Sequence, residues 1–188
     1  MHSVRDSSGK KSPLTPHQFK KWAVNDPWLE YPARDDILTS YMAPRIIPRM
    51  AHQVVIDTNV LVAGLRSRHG ASNKLLSLVD MGLFELHLSV PLVLEYEDVL
   101  SRPTLGLSKQ DQSAFIDYLC AIGTHHQIHF LWRPFLKDPK DDFVLEVAVV
   151  SRSNFIITFN IQDFESSDLF GIVPIPPAPF LELIGAIP

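Results

Sequence analysis

The twelve residues VVIDTNVLVAGL, 54–65, read as a buried strand over 53–62 that runs on into a loop. Val54, Val55 and Ile56 followed by Val60, Leu61 and Val62 leave no polar face, which is the pattern of a strand covered on both sides. One residue is out of place in it. Asp57 puts a carboxylate three residues in, and an ionised carboxylate withdrawn from water costs on the order of several kcal/mol unless something partners it. The rest of the chain has to supply a reason for an acid there.

Further apolar runs follow at 83–89, at 125–130, at 155–159 and near GIVPI, 171–175. Helical patterns lie between and after them, over 71–81, 91–101, 109–122 and 141–152, with a terminal APFLELIG. Ser108 followed by Asp111 has capping-box spacing, and Asp138 before Pro139 predicts an N-cap ahead of a proline at the first helical position. Strands that are apolar throughout and alternate with helices predict an α/β fold: three layers, α/β/α, around a central, mostly parallel sheet. In such sheets the binding site lies outside the carboxyl ends of the strands.

Composition narrows the class. The 188 residues include 46% hydrophobic and 20% charged residues, ordinary for a globular protein. No apolar run approaches the roughly 18 residues of a membrane span, the polar first residues lack the apolar core of a secretory signal, and Cys120 is the one cysteine. These features lead us to expect a cytoplasmic protein without disulfides or a membrane partner. Charge and proline set off an N-terminal extension, 1–50, from a main domain, 51–188. The extension holds six of the fifteen prolines and eight Lys/Arg against five Asp/Glu, a net +3, whereas the main domain has nine against sixteen, a net −7. Short docking helices over 17–31 and 34–42, with Trp22, Trp28 and Leu38 as contacts, are expected in the extension. A domain at −7 argues against broad electrostatic attraction of nucleic acid; such a role needs a local site where cations offset the acids.

The acids gather where that site should be. Asp57 lies within the first strand-like run, Glu95 lies about a turn into the helix after the second, Asp141 and Asp142 open a later helix, and Asn160 and Asp163 follow the strand FIITF. A divalent cation makes such a cluster favourable, and oxygen-only donors indicate Mg²⁺ or Mn²⁺ rather than zinc. Periodicity leaves Glu95 and Glu97 on opposite flanks of the stripe Leu92, Val93, Tyr96, Val99, Leu100, and it leaves Asp141 and Asp142 open, either of which could instead complement a helix dipole. Thr58, Asn59 and Thr158 are candidates to hydrogen-bond and orient the ligands. Arg66, Arg68 and Lys74, after the first run, are candidate phosphate contacts. His125, His126 and His129 do not share one strand face, so a polar strand surface is expected of them rather than a zinc site. Cys120 is read as core.

The segments VVIDTNVLVAGL, LSVPLVLEYEDVLSRP (88–103) and DPKDDFVLEVAVVSRSNFIITFNIQDF (138–164) resemble, in order, the motifs of the PIN-domain family, and most closely its branch of toxin components from toxin–antitoxin pairs. The resemblance extends over roughly residues 53–184. It implies a metal-dependent endoribonuclease acting on RNA, an antitoxin protein as partner, and a homodimer or higher assembly. By the motif match, Asp57, Glu95 and Asp142 fall at three acidic ligand positions, and Asn160 with Asp163 at the fourth, with Asp141 in support. Many relatives carry Asp where this chain has Asn160; here Asp163 is expected to supply that charge. Two other functions stand against this one. An aspartyl phosphotransferase commonly has a second Asp two positions after the first, where this chain has Asn59, and a catalytically silent RNA- or protein-binding module could keep the fold. A dinucleotide site lacks its glycine-rich turn after the first strand.

Overall fold

Five short parallel strands form the centre of the computed structural model, which describes residues 51–129, 133 and 135–188. Strand β1 is His52–Ile56, and it is followed by helices α1, Thr58–Arg66, and α2, Ala71–Ser77. Strand β2, Phe84–Ser89, leads directly into α3, Val90–Ser101. Helix α4, Lys109–Ile122, precedes β3, Thr124–His126. The second half consists of α5, Asp142–Ser151, β4, Phe155–Ile157, a 3-10 stretch Ile161–Phe170, β5, Val173–Ile175, and α6, Pro177–Leu183. The extension with its two expected helices lies outside the described residues.

The sheet order is β3-β2-β1-β4-β5, all neighbours parallel. The chain therefore builds outward from β1 through β2 to β3, then returns and places β4 on the other side of β1. The junction of β1 and β4 is the point where the order reverses, and adjacent helices diverge there to leave a crevice. Consecutive residues Val54, Val55 and Ile56 are all buried, as are Ile156 and Ile157. Because successive strand side chains point to opposite faces, helices must cover both, and the expected three-layer α/β/α architecture forms. Helix α5 packs across β1, β2 and β4.

The opening stretch corrects its own reading. The strand stops at Ile56, and a helix starts at Thr58. The carbonyl of Asp57 accepts from the N–H groups of Val60 and Leu61 at 3.1 and 3.3 Å, the start of a helical ladder. An uninterrupted apolar run does not by itself separate a buried strand from a buried helix; Val60, Leu61 and Gly64 bury one helical face. Gly64 is required for that packing, because a Cβ there would come within 2.5 Å of Leu76 and 3.0 Å of the Ser72 carbonyl. A second correction concerns Asp138. Its carboxylate accepts from the Lys140 N–H at 3.0 Å in a turn, while α5 begins only at Asp142. The Ser108 cap is as expected, its hydroxyl accepting from the Asp111 N–H at 3.1 Å. Strand β3 is shorter than the expected 125–130.

Candidate functional site

Asp57 sits at the carboxyl end of β1, in the crevice beside β4. Its N–H donates to the Ile157 carbonyl at 2.9 Å, which ties it to the neighbouring strand. The residue occupies the N-cap position of α1, yet its side chain caps nothing. Instead the carboxylate, only 3% exposed, collects side-chain donors from both strand ends. Thr58 donates to Oδ1 at 3.1 Å, Asn59 to Oδ2 at 2.7 Å, and Thr158 to Oδ2 at 2.6 Å. Thr158 Oγ1 gives its one proton to Asp57 and accepts from Asn59 Nδ2 at 3.2 Å and the Asn160 N–H at 3.0 Å, filling the capacity of a hydroxyl. The Phe159 N–H donates to Asn59 Oδ1 at 3.4 Å. Burial pushes the Asp57 carboxyl above the usual carboxylate range, and the hydroxyls of Thr158 and Thr58 pull it back.

Helix α3 starts where β2 ends. Its Tyr96 is fully buried and donates its hydroxyl to the Ile56 carbonyl, one residue before Asp57. Burial, and after it the charge of Asp57, raises the phenol well above its ordinary range. Glu95, next to Tyr96, is half-buried, and Glu97 is exposed. The charge of Glu97 is felt, after burial and Asp117, by the Cys120 thiol near the end of α4. The geometry thus separates two residues that periodicity could not.

Asp141 and Asp142 also part. Asp142 is buried, and its carboxylate accepts from the N–H groups of Leu136 at 2.9 Å and Phe135 at 3.3 Å, which anchors the preceding loop to α5. Asp141 is half-buried, and its carboxyl is raised to about 7, first by burial and then by Asp57, Asp138, Asp163 and Asp142. Asp163 is half-buried on the 3-10 stretch after β4, and Asn160 is exposed. Asp57, Asp141 and Asp163 therefore share one electrostatic neighbourhood although they come from three segments. Among the described residues, however, no group of three His, Cys, Asp or Glu side chains stands close enough to hold a metal ion.

Arg66 and Arg68 are exposed at the far end of α1, about 13 Å along a nine-residue helix from Asp57. Lys74 is half-buried on α2. The histidines form a separate network. His126 Nε2 lies 2.8 Å from Nδ1 of buried His87, whose other nitrogen meets Gln53, and His125 meets the Cys120 carbonyl at 2.7 Å. Cys120 is half-buried against the core.

The sequence reads Tyr96 only as part of a buried stripe and Asp138 only as a helix cap, and it gives no reading of the pair Arg133–Glu146. The guanidinium bonds both oxygens of Glu146, at 3.1 and 2.9 Å. A charged residue in the middle of the apolar run FVLEVAVV was the available signal.

The buried Asp57 carboxylate thus lies at the reversal point of a parallel α/β sheet, where such folds bind their ligands, with Asp141 within reach of its charge. The model of the PIN domain family matches residues 53–162, more than half of the chain, and the protein belongs to that family. PIN domains are typically nucleases and commonly use divalent metal ions. No curated protein matches the chain. No helix among the described residues is long and apolar enough to cross a membrane.

Proposed function

We propose that the protein is an Mg²⁺- or Mn²⁺-dependent endoribonuclease that hydrolyses RNA phosphodiesters, working as the toxin component of a toxin–antitoxin pair. The observation that carries the nuclease reading is Asp57: a carboxylate nearly removed from water, oriented by three neutral donors, and close enough to Asp141 to raise its pKa.

Asp57, Glu95, Asp141 and Asp163 would hold the cation. In this proposal Asp141 stands where the motif match puts Asp142, because the Asp142 oxygens accept from loop N–H groups and Asp141 is within electrostatic reach of Asp57 and Asp163. The chemistry a divalent ion supplies, when bound, is activation of water and neutralisation of charge on the phosphate oxygens. The chain's own residues do the rest. Thr58, Asn59 and Thr158 fix the Asp57 carboxylate in one orientation. Asp141 keeps a proton up to about pH 7 and must release it before its oxygens can act as ligands. The role of Asp142 is to hold the loop over 135–136 against α5.

Cleavage of a defined RNA should require Mn²⁺ or Mg²⁺, stop with EDTA and resume when the ion is restored. Chelator-resistant cleavage would remove the cation from the scheme. Asn160 in the fourth acidic position favours one other reading, a silent PIN-fold module that binds RNA or protein; equal background cleavage by wild type and Asp57→Asn would support it. The toxin role and its antitoxin partner rest on the resemblance of the quoted motifs, and growth arrest on expression is their test. For residues 1–50, the +3 charge against the −7 domain suits an inhibitory segment, and deletion of 1–49 should then raise cleavage. Homodimerisation carries over from the same resemblance and is read by the mass in solution.

A further inference from the structure

Among the described residues ten large hydrophobic side chains are exposed. Four of them, Val90, Leu94, Phe159 and Ile161, lie on the segments that leave the carboxyl ends of β2 and β4. Those two strands flank β1 on either side, so apolar surface borders the acid rim from both directions. Single exposed apolar residues are ordinary on any protein; their position beside a buried carboxylate is what matters here.

Phe159 is the aromatic member of the four and is 50% exposed. Its backbone is held tightly. The N–H of Phe159 bonds Asn59, the hydroxyl of the preceding residue bonds Asp57, and the N–H of the following residue bonds Thr158. The ring therefore projects from a fixed point, one residue from a direct partner of Asp57. The domain that carries it has a net charge of −7, so a polyanion gains little there from broad electrostatic attraction. Stacking of a base on an aromatic ring needs no positive charge and tolerates any base, since each has a π-face.

We propose that Phe159 is a specificity-determining residue that stacks on an unpaired nucleobase beside the scissile phosphate. The site then accepts RNA whose bases are unstacked at that point and discriminates against continuous duplex, in which both faces of each base are covered. Val90, Leu94 and Ile161 are aliphatic and cannot replace the ring. The inference rests on the nuclease reading above.

The test uses the full 188-residue chain with Mn²⁺ and a fluorescent RNA, single-stranded or annealed to its complement. Wild type is compared with Phe159→Ala, Phe159→Leu and Phe159→Trp. All three variants keep the backbone N–H that bonds Asn59. Phe159→Ala should raise KM on the single strand about ten- to hundredfold, with a smaller change in kcat. Trp should restore KM, Leu should not, and the preference for single strand over duplex should shrink by the same factor. An unchanged KM in Phe159→Ala, or Leu performing as well as Trp, overturns the stacking role and leaves the nuclease reading in place. If wild type binds the strand by fluorescence anisotropy without cutting it, the nuclease reading falls alone, and the Kd of Phe159→Ala decides the stacking by the same factor. Neither binding nor cleavage by wild type removes both.

Discussion

Asp57 and Glu146 are buried to nearly the same degree, at 3% and 1% exposure, but they are partnered in opposite ways. Glu146 receives a two-pronged guanidinium from Arg133, which also lies 3.9 Å over the ring of Phe143. Its charge is matched. Asp57 receives a hydroxyl, an amide and a second hydroxyl, and its own charge is felt by Asp141 and Tyr96. Its orientation is set by neutral donors, which stabilise a carboxylate without cancelling its charge. The difference separates a carboxylate whose charge is matched within the fold from one whose charge is not, which is the property the proposed cation site requires.

Substitution should divide the two most sharply. Asp57→Asn is expected to abolish metal-dependent RNA cleavage while leaving the thermal midpoint equal or higher, because it removes a buried charge and keeps a polar side chain of the same shape. Arg133→Ala should do the reverse to stability. It strands the buried Glu146 carboxylate and should cost about 3–5 kcal/mol, read from urea unfolding. If Asp57→Asn destabilised the fold and Arg133→Ala did not, the contrast would be inverted.

A finer cut removes one donor. Thr158→Val keeps the volume but deletes the 2.6 Å bond to Asp57, and loss of such an orienting partner typically lowers metal affinity or activity about 10- to 100-fold. Titration of Mn²⁺ with the variant measures it. An unaltered affinity would mean that Thr158 serves only the strand end.

The pH dependence follows from Asp141. Its folded pKa is about 7, against 3.8 for the ordinary carboxyl, so between those values the native state holds a proton that the unfolded chain has released. Stability in EDTA should therefore fall as pH rises through that window and level off above it. Asp57, raised in the same direction, adds to the slope. Mn²⁺ should flatten the curve, and so should Asp141→Asn, as thermal melts from pH 4.5 to 8 would show. The smallest effect is expected at the exposed pair Arg102–Asp98, 2.8 Å apart on α3 and its end. Breaking it should cost about 0.3–0.5 kcal/mol, which sets the scale for an ion pair without burial.

Several readings needed only the order of residues. The alternation of apolar runs and helical patterns specified a parallel α/β sheet, since strands such as VVI and FII with no polar face must be covered on both sides. The helix over 109–122 and its Ser108 cap were legible because both signals are local. Asp57 stood out because nothing in its neighbourhood in the chain could compensate its charge. Other features were not local and could not be read. Whether 58–66 continued the strand or began a helix was not legible, because an apolar run buries equally well as either; the helix packs through Gly64 against Leu76 and Ser72, a contact between two helices. Glu95 and Glu97 are equivalent in periodicity, and only the packing of α3 against α4 sets them apart.

What the sequence determined alone was the fold class and the set of acids, because hydrophobic period and residue type act over a few neighbours. Which acids share a space was decided by the sheet order, which brings the ends of β1 and β4 together across a hundred residues of chain. The tertiary structure decided that Asp142 accepts from the loop at Leu136 while Asp141 feels the charge of Asp57, since the surroundings of adjacent side chains at a helix start depend on the backbone they meet.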